Sequence, residues 1–239
     1  MPDLSMFPIT RRWPAADPGK LQLYSAPTPN GVKVSIMLEE IGLPYEPHRI
    51  AIGDKESHTP EFLSLNPNGK IPAIVDPDGP GGQPLGLFES GAILLYLADK
   101  TGQLIAADPA RRWETIQWLF WQMAAVGPIF GQVGFFHRFA GRAIEDKRPL
   151  NRYADETKRL LGVLERRLAG DGSGDGGGRD WVMDDYSIAD IALIGWVRNL
   201  VTFYDARDLV GFDDFGHVGA WLERGLARPA VQRGLDIPR

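Results

Sequence analysis

Three short stretches of the chain, each in turn-forming surroundings, carry side chains suited to holding an anion or an extended peptide. The first is Ala26-Pro27-Thr28-Pro29-Asn30-Gly31. Thr28 is a good helix N-cap, and Pro29 suits the first helical position because its missing N–H would have been unpaired anyway. The amides of Asn30 and Gly31 then face out at the positive end of a helix, where a thiolate is stabilised; helix N-termini help to lower a thiol pKa from about 8.5 to as little as ~3.5. The same residues also suit a plain cap and turn. The second stretch is Asn66-Pro67-Asn68-Gly69-Lys70-Ile71-Pro72-Ala73-Ile74-Val75. Proline at the entrance of a strand belongs at an edge or first position. A cis Ile71–Pro72 bond would expose the Ile71 backbone for pairing with an extended peptide, and a trans proline in a turn is the plainer reading. The third is Phe88-Glu89-Ser90-Gly91. Ser90 stands at an N-cap, where its hydroxyl and the first helical amides can hold a carboxylate, with Glu89 beside it for a cation. A ligand bearing a carboxylate and an amine on one carbon would meet both, although capping and solvation also account for the pair.

The chain as a whole narrows the chemistry. It has 239 residues, 44% of them hydrophobic and 24% charged, which suits two globular domains. Net charge is 26 − 31 = −5 and the pI is near 5.4, so no net positive field favours nucleic acid or anionic lipid. No uncharged apolar run approaches a membrane span of about 18 residues, and a soluble, cytoplasmic protein is expected. With no cysteine, the chain has no disulfide framework, thiolate zinc site, cysteine nucleophile or CxxC pair. Any thiol chemistry must come from a bound molecule. His48, His58, His137 and His217 show no metal-ligand spacing, so no metal is expected.

Periodicity then supplies the elements that position the three stretches. Leu21 to Tyr24 reads as a strand, Val32 to Ile41 as a helix closed by Gly42, and Tyr45 to Ile52 as a second strand. Pro60 to Leu65 suits a short helix, Ile71 to Val75 and Leu85 to Phe88 a strand pair around a Pro/Gly-rich connection, and Ser90 to Lys100 a helix ended by Gly102. The order β-α-β-α-β-β-α predicts a small mixed sheet flanked by helices. Later segments are helical: Pro109 to Phe139 with a break near Gly127-Pro128, Asn151 to Leu168, Ser187 to about Val201, and Val218 to Leu226. The expected organisation is an N-terminal extension over 1–20, with four prolines and lying on the surface or against a partner, an α/β domain over 21–103 and an all-helical domain over 104–239. The glycine-rich loop Ala169 to Asp180 contains a GxGxxG match that follows a helix rather than a strand, and an EF-hand-like start that lacks its closing Glu, so it reads as a linker. Ser187-Ile188-Ala189-Asp190 reads as a capping box, structural rather than chemical. Trp113, Trp118, Phe120, Trp121, Phe130, Phe135, Phe136 and Phe139 read mostly as core.

The three stretches in this order on one mixed sheet resemble the thioredoxin-like domain of cytosolic glutathione transferases, followed by their helical domain. LYSAPTPNGVKVSIMLEEIGLPYE, EFLSLNPNGKIPAIVD and LFESGAILLYLADKTG look most like the bacterial Nu class of glutathione-dependent disulfide-bond reductases and the related Ure2-like proteins, and TIQWLFWQMAAVGPIFGQ and NRYADETKRLLGVLERRL extend the match. The resemblance implies a thioredoxin-like βαβαββα fold plus an all-α domain, glutathione as co-substrate with up to two molecules per site, and a homodimer. It implies Thr28 and Asn30 around the sulfur, Ile71 and the cis Pro72 pairing with the cysteinyl unit, and Glu89 and Ser90 at the γ-glutamyl end. Lys70 falls near the glycyl carboxylate, and Arg152 matches an arginine that reaches the peptide, though it equally suits an exposed helix start. Tyr24 lies within the strand and reads as packing. The Nu-class glutamine ahead of PEF is absent; Asp54 to Thr59 offers Ser57 or His58 instead. The activity implied is reduction of a small disulfide. Conjugation to an electrophile, hydroperoxide reduction, and non-catalytic binding in a regulatory protein are the other readings.

Overall fold

The computed structural model describes residues 3–170 and 178–239; the two motif matches in the glycine-rich loop lie largely outside them. Contacts divide the chain into two units, Met1–Thr101 with Pro229–Arg239, and Gly102–Arg228.

In the first unit, β1 (Leu21–Ser25), β2 (Tyr45–Arg49), β3 (Ala73–Asp76) and β4 (Leu85–Phe88) form one sheet in the order β2-β1-β3-β4. β1 and β2 are parallel, joined through α2 (Gly31–Ile41), and β3 runs antiparallel to both β1 and β4. The mixed sheet follows from connection length: a helical crossover permits a parallel pair, while the short link between β3 and β4 permits only an antiparallel one. Strand alternation divides the core. Tyr24, Ala73 and Val75 point to the face occupied by Phe62 and Leu65 of α3 (Pro60–Leu65), whereas Leu23 and Ile74 are buried on the other. α2 packs beside α4 (Ser90–Thr101), and both helices are stopped by glycines in the left-handed region, Gly42 and Gly102. β3 begins at Ala73 rather than Ile71 because Pro72 cannot donate to the ladder, and β2 ends at Arg49, short of the expected Ile52.

The N-terminal extension is not peripheral. It forms α1 (Ile9–Arg12), and Leu4 and Ile9 are buried in the same cluster as Tyr24 and Phe62. Trp13 sits edge-on to Tyr24 and to Phe62, each at 6.3 Å. Four prolines hide any periodicity there, so the apolar anchors rather than a pattern carry the signal. The Glu46 carboxylate on β2 accepts the amides of Ala16 and Asp17, both at 2.8 Å. Burial pushes this carboxyl up, but those amide bonds and the His48 charge outweigh it and hold it below its ordinary value. A depressed folded pKa means the clamp contributes stability above the ordinary glutamate range and loses it as pH falls through the folded value. Glu46→Gln turns an amide nitrogen toward one of the two backbone donors. Local opening should cost about 1–2 kcal/mol less, and trypsin cleavage after Arg11 and Arg12 should accelerate about 5- to 30-fold. An unchanged cleavage rate would remove Glu46 as the clamp.

The last helix of the chain, α10 (Pro229–Gly234), also belongs to this unit. Gly234 lies so close to α2 that a Cβ there would stand 2.6 Å from Ile36 backbone atoms, and its carbonyl accepts from Ser35 Oγ at 2.6 Å.

Among its described residues the second unit holds helices and no strand: α5 (Pro109–Trp121), α6 (Gly127–His137), α7 (Arg148–Ala169), α8 (Ile188–Val201) and α9 (Gly216–Leu226), with α10 returning to the first unit. The expected break at Gly127-Pro128 is a single π-turn, Gln122–Val126, joining α5 to α6. Proline has no N–H and its ring clashes with the carbonyl four residues back, and a wider turn accommodates both. The joined run Pro109–His137 is, by length and composition alone, long and apolar enough to cross a membrane, contrary to the sequence expectation. It packs against α7 and α8.

Candidate functional site

Strand register brings the three stretches to one end of the sheet. Tyr24 near the end of β1 pairs with Ala73 at the start of β3, and Ala73 pairs with Phe88 at the end of β4. The loop after β1, the turn before β3 and the switch after β4 therefore leave the sheet side by side. Thr28, Asn30, Lys70, Ile71, Pro72, Glu89 and Ser90 all belong to these three segments.

At the first segment, α2 begins in the hydrogen-bonding sense at Thr28. Its carbonyl accepts from Val32 N–H at 3.0 Å, and its Oγ1 accepts from Gly31 N–H at 3.2 Å. The Gly31 amide is thus committed to Thr28 rather than facing outward, a correction to the sequence reading. The hydroxyl that accepts this bond keeps its own proton to donate. Gly31 is required by space: a Cβ would lie 1.9 Å from the Ala26 carbonyl oxygen and 2.6 Å from Ser25 Oγ. Thr28 and Asn30 are half-buried and border the opening of the helix.

The second segment is shaped by Asn66, itself buried. Its Nδ2 donates to the Lys70 carbonyl at 2.5 Å, its Oδ1 accepts from Asn68 N–H, and its carbonyl accepts from Gly69 N–H. This turn delivers the chain to Ile71–Pro72, whose peptide bond is cis. Ile71 is half-buried and precedes the first paired residue, Ala73, so it stands outside the ladder at the end of the sheet. Lys70 is exposed. Gly69 holds φ +63°, and a Cβ on it would meet the His58 ring at 3.3 Å. His58 is therefore beside this turn, while Ser57 is buried with its hydroxyl on His58 Nδ1 at 3.1 Å.

At the third segment, Glu89 occupies the left-handed region at φ +69° and is exposed. Its carbonyl accepts from Ile93 N–H, so Glu89 opens α4, and Ser90 is the first helical residue rather than the cap. The buried Ser90 hydroxyl accepts from Lys33 Nζ at 3.3 Å.

Lys33 is the site-adjacent residue that sequence reasoning passed over. It is wholly buried on α2, where every residue from Gly31 to Leu38 is buried. Desolvation pushes its ammonium down to about 7, against the opposing pull of the Glu89 charge. The signal was present: a lysine inside the apolar run Val32 to Leu38 of a helix buried on all sides.

Arg152 lies in the other unit, on the exposed face of α7, lining a surface groove with Arg148, Asn151, Asp155, Glu156 and Arg159. Tyr24 is buried and stacked on His48 at 4.7 Å; burial, then the Glu46 charge, push its phenol up, and it packs on the core face away from these chemical groups. Among the described residues, no cluster of three His, Asp or Glu is placed to hold a metal.

Residues 19–99 match the family described as glutathione S-transferase, N-terminal domain. Over 217 residues the chain is 44% identical to the disulfide-bond oxidoreductase YfcG of Escherichia coli K12, an alignment covering 90% of this chain and 94% of that one. Among solved structures, it is similar to a glutathione transferase of Pseudomonas putida with one glutathione disulfide bound per subunit: TM-score 0.95, 63% identity, 99% of this chain and 100% of that chain covered. A glutathione transferase of Burkholderia graminis with two glutathione molecules bound per subunit matches with TM-score 0.95 and 63% identity, covering 100% of this chain and 97% of that chain.

Proposed function

The chain belongs to the glutathione S-transferase family, and from that premise we propose that it is a glutathione-dependent disulfide-bond reductase of the Nu class. The observation that carries the reading is the convergence of the Thr28, Ile71 and Glu89 segments at one end of the sheet, in a protein with no thiol of its own. Glutathione lies along Ile71, its γ-glutamyl carboxylate on Ser90 and its amine toward Glu89. Lys70 faces the glycyl end, and Arg152 is assigned to the peptide on the family resemblance alone. The sulfur sits at the opening of α2. There the Thr28 hydroxyl, with one lone pair taken by Gly31 N–H, donates to the thiolate, and Asn30 adds a polar contact.

The thiolate is the nucleophile in exchange. Its sulfur attacks one sulfur of the substrate disulfide, forms the mixed disulfide and expels the other half as a thiolate. A second glutathione thiolate attacks the glutathione sulfur of that mixed disulfide, giving glutathione disulfide and releasing the second substrate thiolate. Two glutathiones are oxidised, one disulfide is reduced to two thiols, and the two protons lost from glutathione end on the products. Relatives solved with glutathione disulfide or with two glutathiones per subunit support this reading. The reading places the protein in the cytoplasm, where reduced glutathione is maintained, and makes it a homodimer, for which the exposed Trp113 and Phe120 of α5 offer apolar surface.

Turnover of hydroxyethyl disulfide with glutathione is the test. Ready production of glutathione disulfide is expected. Activity confined to electrophilic aryl halides would make the protein a conventional transferase, and tight glutathione binding without turnover would make it a binding protein.

A further inference from the structure

We propose that the N-terminal extension is a strap released by acid at His48, and that while closed it supports the glutathione site at Ile71. The second half rests on the reading that glutathione lies along Ile71; the first does not.

Strand alternation puts Gln22 and Tyr24 of β1 and Glu46 and His48 of β2 on one face, since Gln22 pairs with Glu46 and Tyr24 with His48. The extension crosses this face, where its Leu4 and Ile9 are buried with Tyr24. Three of the four side chains are polar, and they hold the extension by its backbone. Glu46 accepts the Ala16 and Asp17 amides, and Gln22 Nε2 donates to the Asp17 and Lys20 carbonyls at 3.0 and 2.7 Å. With its nitrogen committed, Gln22 offers only Oε1 to His48 Nε2 at 2.8 Å, so Nε2 must donate. Neutral His48 therefore carries its proton on Nε2, and Nδ1 is the atom that titrates.

A proton added at Nδ1 meets no acceptor among the described residues. The His48 side chain is only 9% exposed and its ring stacks on Tyr24, the titratable group facing it from β1. Glu46, on its own strand, lies 3.8 Å from Nε2 and already serves two amides. On the extension, Asp17 pairs with Lys20 at 3.3 Å, and Arg12 lies over Trp13 and pairs with Glu56. Burial outweighs the Glu46 charge and holds the imidazole below its ordinary value. A closed strap thus keeps His48 neutral, and opening that wets the ring takes up a proton once pH falls below about 6.5. Closure is complete in its stability above that value and weakens as pH falls further. The apolar part of the strap reaches the site. Ile71 and Phe88 pack against the cluster that holds Leu4 and Ile9, as do Phe7 and Trp13. A ligand along Ile71 then favours the closed strap, and by linkage the closed strap favours the ligand.

Hydrogen exchange of the Ala16 and Asp17 amides in the full-length protein, expressed as protection so that the intrinsic pH dependence cancels, reads the opening. Between pH 7.5 and pH 5.0 the wild type should lose about tenfold in protection. His48→Gln keeps a donor for Gln22 and His48→Phe keeps a ring on Tyr24, but neither takes up the proton, so each should lose about threefold or less. Either variant decides the matter if the other fails to fold. An equal loss in wild type and variant, or none in the wild type, would overturn the acid release. At pH 5.0, S-methylglutathione at about ten times its dissociation constant should raise the same protection by about threefold or more, full coupling giving about elevenfold. Bound ligand that leaves protection unchanged would overturn the support at Ile71. Failure of this ligand to bind would overturn the reading of the site, and that support with it, while the pH comparison still decides the strap.

Discussion

Thr28→Val is expected to lower kcat/KM for glutathione-dependent reduction of hydroxyethyl disulfide by about 10- to 100-fold, less than the roughly 100- to 1000-fold seen when a donor aimed at developing negative charge in an oxyanion hole is removed. Valine keeps the branched shape and loses only the hydroxyl, which takes Gly31 N–H at 3.2 Å and in the proposed complex gives its proton to the thiolate. Two effects are combined in that hydroxyl and must be separated. Losing the cap weakens the start of α2 by about 1 kcal/mol, a shift of about 2–4 °C in melting temperature for a chain of this size. Losing the donor raises the pKa of bound glutathione. The second effect is read directly from the thiolate absorbance near 240 nm as pH is varied with glutathione bound. Thr28→Ser retains both roles and should restore activity to within about threefold. Asn30→Ala, which leaves the cap in place, should lower turnover by about tenfold. Unchanged turnover in Thr28→Val would remove the hydroxyl from the mechanism and leave the helix end and Asn30 to stabilise the sulfur.

Most of the frame was legible because each element carries its own punctuation. Thr59 and Pro60 open α3, Gly42 and Gly102 close α2 and α4, and Ser187 with Asp190 caps α8. The three turns were also visible, each as a residue pattern between a strand and a helix or strand. Single-residue patterns cannot report where a hydrogen bond goes. Gly31 N–H faces back to Thr28 rather than outward, and Ser90 sits one residue inside the helix it was expected to cap. Interactions between distant parts of the chain were illegible for the same reason. Leu4 and Ile9 reach the core from a proline-rich segment with no period, and α10 returns to α2 through Ser35 and Gly234. Lys33 is the instructive case: its place in an apolar run announces burial, but its partner, Ser90, is 57 residues away.

Asp190→Asn should destabilise the protein by about 2–5 kcal/mol, although it changes one oxygen to one nitrogen. The carboxylate is fully buried and accepts four hydrogen bonds. Oδ1 takes Val182 N–H at 2.9 Å and Trp221 Nε1–H at 2.9 Å, and Oδ2 takes Ser187 N–H at 3.0 Å and the Ser187 hydroxyl at 3.2 Å. Every partner is a donor. Asparagine must turn its NH2 toward one of the two pairs, so two buried donors lose their acceptor and the amide hydrogens meet donors. The sequence announces only the reciprocal cap with Ser187. Trp221 on α9 and Val182 ahead of α8 make the same carboxylate a junction of three segments, which is why the expected loss exceeds the ~1 kcal/mol of a cap. The pH dependence has a definite sign. Burial raises this carboxyl to about 6, against the pull of its four donors, so its folded pKa exceeds the unfolded value. Its contribution to stability is complete below the unfolded pKa and declines as pH rises through about 6. The gap between wild type and Asp190→Asn, measured by urea denaturation, should therefore be wider at pH 5 than at pH 7. A gap below about 0.5 kcal/mol, the ordinary scale of a surface substitution, would mean that the four donors find other acceptors and that Asp190 is no more than a helix cap.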